Sequence, residues 1–473
     1  MRKFFAYDRI PFVKIFRRYV GDKNFYKTVF AVALPIMLQN GITQFVNLLD
    51  NIMVGQVGNE QMSGVAIVNQ LLFVFNLCVF GAVSGAGIFT AQFHGKNNEE
   101  GVRQTFRFKF IFCFFFALFG IGVLALFNES LIGLYLSDGS AEGDLALTLS
   151  YGQDYLWIML IGLVPFALTQ SYGSTLRETE KTVLPMVAGF IAVGLNCIGN
   201  YILIFGRFGA PALGVKGAAI STVVSRFLEV GILVVTVWVK RKRYPFIVKA
   251  YRYLFRIDKK LVSDIFRKGM LLLVNEALWA GGVSALAQCY SQRGLAVVAG
   301  YNISSTVTNV FNISYMALGI SIGIIIGKYL GAKDFDRAVD EVRKMVVFSV
   351  FVGVLMGVVM AAFSSFFPQI YNTTEEAKEL ASDFMLVTAC MMPVYSFQNA
   401  CYFTLRSGGK TLITFFYDSV FVWVAGFPVA FLLVKLTTLP VIDVFLVVCA
   451  MDVLKSIFGY VLLKKRIWLN QLV

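Results

Sequence analysis

The chain has 473 residues, 58% of them hydrophobic and only 15% charged, with a mean hydropathy of +0.71. That is more apolar surface than one soluble core can hide, which excludes an ordinary globular domain. The net charge of +14 does not point to nucleic acid, because no compact basic module with interleaved aromatics stands apart from the apolar segments.

Residues 1–27 are basic, with Phe4, Phe5, Phe12 and Phe16 interspersed, and read as an amphipathic interfacial segment rather than a cleavable signal. Twelve apolar runs follow, each long enough to cross about 30 Å of hydrocarbon as a helix. Residues 28–54, 63–92, 106–127, 145–174, 183–205 and 213–239 make an N-lobe over 28–239. Residues 269–291, 295–327, 345–367, 384–405, 412–434 and 440–463 make a C-lobe over 269–463. A basic linker, 240–268, containing Lys240-Arg-Lys-Arg243, separates them, and residues 464–473 form a tail. The expected fold is an all-α membrane protein with twelve transmembrane helices.

With the N-terminus in the cytoplasm, only Arg207, Arg293, Lys378 and Lys435 of the 42 Lys and Arg fall in external loops, with Lys216 at the outer end of the 213–239 run. This is the positive-inside bias; it places both termini in the cytoplasm and makes anionic lipid the neighbour of the basic segments. The loops holding Glu129, Asp138, Glu142 and Asp144, and Glu375, Glu376, Glu379 and Asp383, are acidic and external. Seven cysteines lie mostly within spans, without metal or redox spacing, and read as small apolar fillers.

The two halves repeat. Thr175-Leu-Arg-Glu-Thr-Glu-Lys181-Thr182 matches Thr404-Leu-Arg-Ser-Gly-Gly-Lys410-Thr411, and the same offset of 229 relates Asp154 to Asp383, Pro211 to Pro440 and Arg226 to Lys455. Gly87 and Gly95 match Gly323 and Gly331 at an offset of 236. Both Thr-Leu-Arg segments fall on the cytoplasmic side, so the two six-helix repeats are parallel.

An ionisable group inside the bilayer costs on the order of 3 kcal/mol and needs a partner, a watery cavity or a function. Arg226 and Glu229, and Asp452 and Lys455, are spaced i, i+3 on one face and are expected to pair locally. Asp418 has Arg406 and Lys410 as candidate partners. Asp50 has none on its own helix. Asn196 and Asn200, one turn apart, and Thr222 offer amide and hydroxyl groups that could converge on it, or bridge helices instead. One acid among neutral oxygens suits a proton or Na⁺. Glu276 stands alone, with Trp279 at i+3; an acid and an aromatic face together suit an organic cation, and Asn399 is a further polar candidate for the cavity. Pro35, about four turns before Asp50, is the candidate hinge because it lacks a backbone donor.

These residues resemble a known family, the multidrug and toxic compound extrusion (MATE) transporters. The likeness covers nearly the whole chain and is carried by Leu49-Asp50-Asn-Ile-Met-Val-Gly55, by the Thr-Leu-Arg-Glu-Thr-Glu-Lys-Thr segment, and above all by Leu195-Asn-Cys-Ile-Gly-Asn200-Tyr-Ile-Leu-Ile-Phe-Gly206 with Gly209-Ala-Pro-Ala-Leu-Gly-Val-Lys-Gly-Ala-Ala-Ile-Ser-Thr222. The resemblance implies two six-helix lobes around a central cavity and efflux of amphipathic, often cationic compounds in exchange for H⁺ or Na⁺. It implies that Asp50, Asn196, Asn200 and Thr222 stand at the family's N-lobe cation site. Some members carry Asp at the position of Asn200. Others pair a Glu on the seventh helix with an Asp on the tenth, where this chain offers only Ser396, Gln398 and Asn399.

The rival reading is a lipid-linked oligosaccharide flippase of the same superfamily, which calls for a strongly cationic cavity. An enzyme is disfavoured, because His94 is the sole histidine and no nucleophile–base pairing can be assembled within a span. A channel lacks its repeated filter loop. The expected protein is a monomeric antiporter of the plasma membrane, or inner membrane in a bacterium, with no cofactor, no nucleic-acid partner, and small organic cations as cargo.

Overall fold

The structure, a computed structural model, describes residues 19–136 and 145–473. Phe4, Phe5, Phe12 and Phe16 of the basic N-terminal segment, and Asp138, Glu142 and Asp144 of the first acidic loop, lie outside the described residues. Among the described residues the regular secondary structure is helical throughout. The helices are α1 (Lys23–Gly55), α2 (Asn59–Gly95), α3 (Glu99–Leu126), the short α4 (Asn128–Gly133), α5 (Leu145–Ile161), α6 (Leu163–Glu178), α7 (Val183–Phe205), α8 (Val215–Val239), α9 (Lys259–Ser291), α10 (Leu295–Gly331), α11 (Phe335–Phe363), α12 (Glu375–Ser407), α13 (Thr411–Leu436) and α14 (Val441–Lys464).

Ten of these are long and apolar enough to cross a membrane singly, and α5 with α6 make an eleventh span bent by 47°. The bend has a local cause: Pro165 at the start of α6 has no N–H for the carbonyl one turn earlier, and Gly162 takes up the change of direction. The last helix, α14, has 24 residues, about 36 Å at the usual helical rise. It is long enough for about 30 Å of hydrocarbon and carries Asp443, Asp452, Lys455 and Lys464.

The chain forms two compact units. One holds residues 38–90 and 98–273. Its core joins Val68, Leu72 and Val79 of α2 to Cys113 and Ala117 of α3, Leu156 and Met159 of α5, and Val215 and Ala219 of α8. Large apolar residues such as Phe119, Ile198 and Val235 stay exposed, as lipid-facing positions do, because lipid offers no hydrophobic penalty and packing alone decides which residues turn inward. The other unit holds residues up to 37, 91–97 and 274–473. There Phe25, Val29 and Ile36 of α1 pack with Ile322, Ile326 and Leu330 of α10 and Cys401 and Leu405 of α12. The tail closes this unit: Trp468 is buried, and the Gln92 amide donates to Ser407 O at 3.0 Å and Asn470 O at 3.2 Å while accepting from Leu472 N at 2.7 Å. Helices α1, α2 and α9 each change unit along their length, so compactness sorts the chain differently from the repeat.

The duplication is visible in backbone detail. After α6, Glu180 is left-handed at φ 60° and Lys181 N bonds Leu176 O at 2.7 Å; after α12, Gly409 is left-handed at φ 70° and Lys410 N bonds Leu405 O at 3.2 Å. Helices α2 and α10 have 37 residues each, and both end in a left-handed residue, Asn97 and Lys333. Asn98 and Asp334 then cap the next helices by accepting from Gly101 N and Arg337 N. The ends of α2 and α10 touch reciprocally: a Cβ on Gly95 would collide with the Lys328 carbonyl, and one on Gly331 with the Gln92 carbonyl. Both helices therefore finish at the same place, as parallel repeats require.

Candidate functional site

Asp50 lies near the end of α1, Asn196 and Asn200 on α7, and Thr222 on α8, all in one compact unit. The structure brings the four together. Asn200 Nδ2 donates to Asp50 Oδ1 at 2.5 Å. With the Asn196 amide turned to satisfy both its ends, its nitrogen donates to the two Asp50 oxygens at 3.2 and 3.1 Å, and its oxygen accepts from Thr222 Oγ1 at 3.1 Å. Ser221 Oγ donates to Asn196 O at 2.8 Å and so pins α7 to α8.

Three features of this cluster carry chemistry. No ion pair among the described residues involves Asp50. Asn200 is fully buried, and its Oδ1 is a buried acceptor with no hydrogen-bond partner, an unmet demand beside a carboxylate. Among the described residues no group of three His, Cys, Asp or Glu is placed to hold a metal ion; the donor atoms around Asp50 are one carboxylate with amide and hydroxyl oxygens, all hard ligands.

The expected local ion pairs are corrected. Arg226 is not bonded to Glu229; it donates to Gly162 O at 3.4 Å and lies over the Phe166 ring at 5.1 Å. The bend between α5 and α6 leaves carbonyl surface turned toward α8, and the guanidinium follows it. Lys455 is not bonded to Asp452 either. Its Nζ donates to Asp418 Oδ1 at 3.0 Å, and Asp418 Oδ2 accepts from Asn275 Nδ2 at 3.2 Å. Asp418 sits in a π-helical turn of α13, Phe416–Val420, whose wider winding re-aims side chains relative to an α-helix. The long Lys455 stem reaches across to it, so Asp418 has this partner rather than Arg406 or Lys410.

Glu276 Oε1 accepts from Tyr402 Oη at 3.1 Å. Asn399 Nδ2 donates to Met316 Sδ at 3.2 Å while its Oδ1 is a buried acceptor without a partner. Trp279 is 43% exposed. Glu276 and Asn399 thus bond different neighbours, Tyr402 and Met316. Pro35 is buried in an α1 that runs unbroken past it, and the compact units divide two residues later, between Met37 and Leu38.

A family model described as MatE matches residues 35–202 and 285–432, well over half of the chain. The chain belongs to the MATE family of transporters. The "Probable multidrug resistance protein NorM" of Thermotoga maritima is 26% identical over 419 residues, 86% of each chain. The "Probable multidrug resistance protein YoeA" of Bacillus subtilis is 23% identical over 87% of each. The fold matches a mutant of the Vibrio cholerae MATE transporter VcmN with a TM-score of 0.84, at 16% identity, over 94% of this chain and 97% of that one.

This MATE chain is thus a multi-pass membrane transporter and not an enzyme. Sequence reasoning missed the roles of Ser221, Asn275 and Tyr402. Ser221 and Asn275 adjoin residues already singled out, Thr222 and Glu276, which was the available signal. Tyr402 gave none, since a tyrosine in an apolar span reads as packing until its hydroxyl is seen to reach a carboxylate.

Proposed function

We propose that this MATE protein is a secondary antiporter that exports amphipathic organic cations across the plasma membrane, the inner membrane in a bacterium, in exchange for H⁺ or Na⁺. The observation that carries the reading is Asp50, a carboxylate near the end of a helix apolar enough to span a membrane, held by the amides of Asn200 and Asn196 with no basic partner among the described residues. A structural carboxylate at that depth would be expected to keep a cation of its own; one held by reversible amides can exchange ions.

Neutralising Asp50 weakens the acceptor that both amides use. With a proton, the N–H groups lose their charged partner. With Na⁺, Asn200 Oδ1, Thr222 Oγ1 and the carboxylate supply hard oxygen ligands. Either change alters how α1 is held against α7 and α8, and Pro35, beside the boundary of the compact units, is where α1 yields as the six-helix lobes, 28–239 and 269–463, rock about the linker 240–268. Glu276, with Trp279 and Asn399, offers the acid and the aromatic surface for cationic cargo. The Lys and Arg distribution supports cytoplasmic termini.

Inside-out vesicles containing the protein and a cationic dye test this under a pH gradient alone and a Na⁺ gradient alone. Uptake driven by one gradient identifies the coupling ion. Dye uptake indifferent to both gradients, together with flipping of a lipid-linked oligosaccharide, would replace this reading with the flippase.

A further inference from the structure

The first turns of α3 and the segment joining α8 to α9 enclose a cleft of about 620 Å³, a size usual for small-molecule sites. Arg103, Arg107, Lys249 and Arg256 line it against the carboxylates of Glu100 and Asp258, so positive charge is in excess. Arg107 is built into the wall: its side chain is 3% exposed, and its guanidinium donates to Ala250 O, Arg256 O and Lys249 O at 3.0, 3.1 and 3.1 Å and to Glu100 Oε1 at 2.9 Å. The joining segment is therefore fastened to α3, and the cleft is a fixed feature of that unit.

The remaining cations have unmet capacity. Arg103 bonds Glu100 and donates to Pro245 O at 3.5 Å, yet its Nε is buried without a hydrogen-bond partner. Lys249 is exposed and held in left-handed backbone at φ 61°, a strained conformation that surrounding structure must impose; no ion pair among the described residues involves it. Arg256 lies over the Tyr253 ring at 5.3 Å, which orients its planar fork without occupying it. Beside these charges Phe255, also lining the cleft, is 76% exposed, and Trp238 and Val239 at the end of α8 are 46% and 74% exposed. A cationic cleft lined by the exposed Phe255, in the segment that follows a membrane helix, is the arrangement that meets a lipid headgroup and its glycerol region at once.

We propose that this cleft binds a phosphate group, with Arg103, Lys249 and Arg256 on its oxygens and Phe255 against the adjoining apolar portion when the phosphate belongs to an anionic phospholipid. Guanidinium and ammonium donors match phosphate oxygens in charge and geometry. The proposal does not depend on the antiport reading, since the cleft lies apart from Asp50 and its partners.

Thermal unfolding of the purified protein in neutral detergent, titrated with dioctanoyl phosphatidylglycerol, dioctanoyl phosphatidylcholine and inorganic phosphate, tests it. The expected result is a saturable rise in unfolding temperature with phosphatidylglycerol and none with phosphatidylcholine. Lys249→Gln/Arg256→Gln should need about thirtyfold more phosphatidylglycerol, and Lys249→Gln alone about fivefold more. Lys240→Gln/Lys242→Gln, which removes the same charge from the same segment, should titrate as the unaltered protein does. Inorganic phosphate acting at the same concentration as the lipid would identify a soluble phosphate as the ligand; a much weaker effect identifies the lipid. Equal responses to phosphatidylcholine and phosphatidylglycerol, or an unchanged titration in Lys249→Gln, would overturn the proposal.

Discussion

Replacing Lys455 with Met keeps most of the side-chain volume and removes the ammonium that lies 3.0 Å from Asp418. Lys455 is 5% exposed and the Asp418 side chain 20%, so the abandoned carboxylate has little water to turn to. Stranding one member of a buried pair costs about 3–5 kcal/mol, and a lone charge at the bilayer centre about 2.5–3.5 kcal/mol on insertion scales. Asn275 still donates to Asp418 at 3.2 Å, which places the expected loss near the lower bound, about 3 kcal/mol. Lys455→Met/Asp418→Asn removes both charges and should recover about 2 kcal/mol of that loss. Asp452→Asn should cost less than about 1 kcal/mol, because Asp452 is not the partner. Reversible unfolding in mixed micelles reads all three. An Asp452→Asn variant as damaged as Lys455→Met, with no recovery in the double variant, would show that the pair forms within α14 and that the π-turn placement of Asp418 is wrong.

Gly331→Ala forces a Cβ against the Gln92 carbonyl. Because the obstacle is backbone, the ends of α2 and α10 must separate, and a loss of about 1–3 kcal/mol should appear in the same unfolding assay; a neutral variant would refute the close approach. Arg107→Ala removes four hydrogen bonds from the guanidinium to the segment after α8 and to Glu100. Limited trypsin digestion should then cut at Lys249 or Arg252 at least about tenfold faster, as expected for losing about 1.4 kcal/mol or more of local stability, whereas an unchanged rate would mean that other contacts hold the segment. Glu276→Gln should weaken binding of a cationic dye by about fivefold or more, the equivalent of one partly desolvated charge interaction; unchanged affinity would make Glu276 a structural partner of Tyr402.

Much of the fold was legible because its signals are local. Apolar runs located the spans, with α7 over 183–205 coinciding with its expected bounds, but α9, α11 and α12 begin at 259, 335 and 375, well before the expected 269, 345 and 384, because their first turns carry charged residues that an apolar run does not include. The Thr-Leu-Arg repeat was legible in letters and proves to be one turn built twice, with Glu180 and Gly409 left-handed at equivalent places. What the letters could not convey is which helices lie within a side chain's reach. The spacing of Asp452 and Lys455 favours contact along α14, yet the decisive fact is that α13 winds as a π-helix around Asp418. The pattern Arg226-x-x-Glu229 likewise hid the attraction of a carbonyl at the bend between α5 and α6, a feature that exists only once those helices are bent. For Asp50, Asn196, Asn200 and Thr222 the residues were identifiable and their convergence is geometric fact, whereas the unmet acceptor on Asn200 needed coordinates.

The most direct test of the account is export of a cationic dye by Asp50→Asn in proteoliposomes, with the imposed ion gradient as the sole driving force. Asparagine keeps the size and a hydrogen-bonding oxygen but cannot change its charge. The protein should stay folded and monodisperse, and gradient-driven export should fall to the rate of protein-free vesicles. Export that still follows the gradient in Asp50→Asn would contradict the assignment of this carboxylate as the ion-exchanging group.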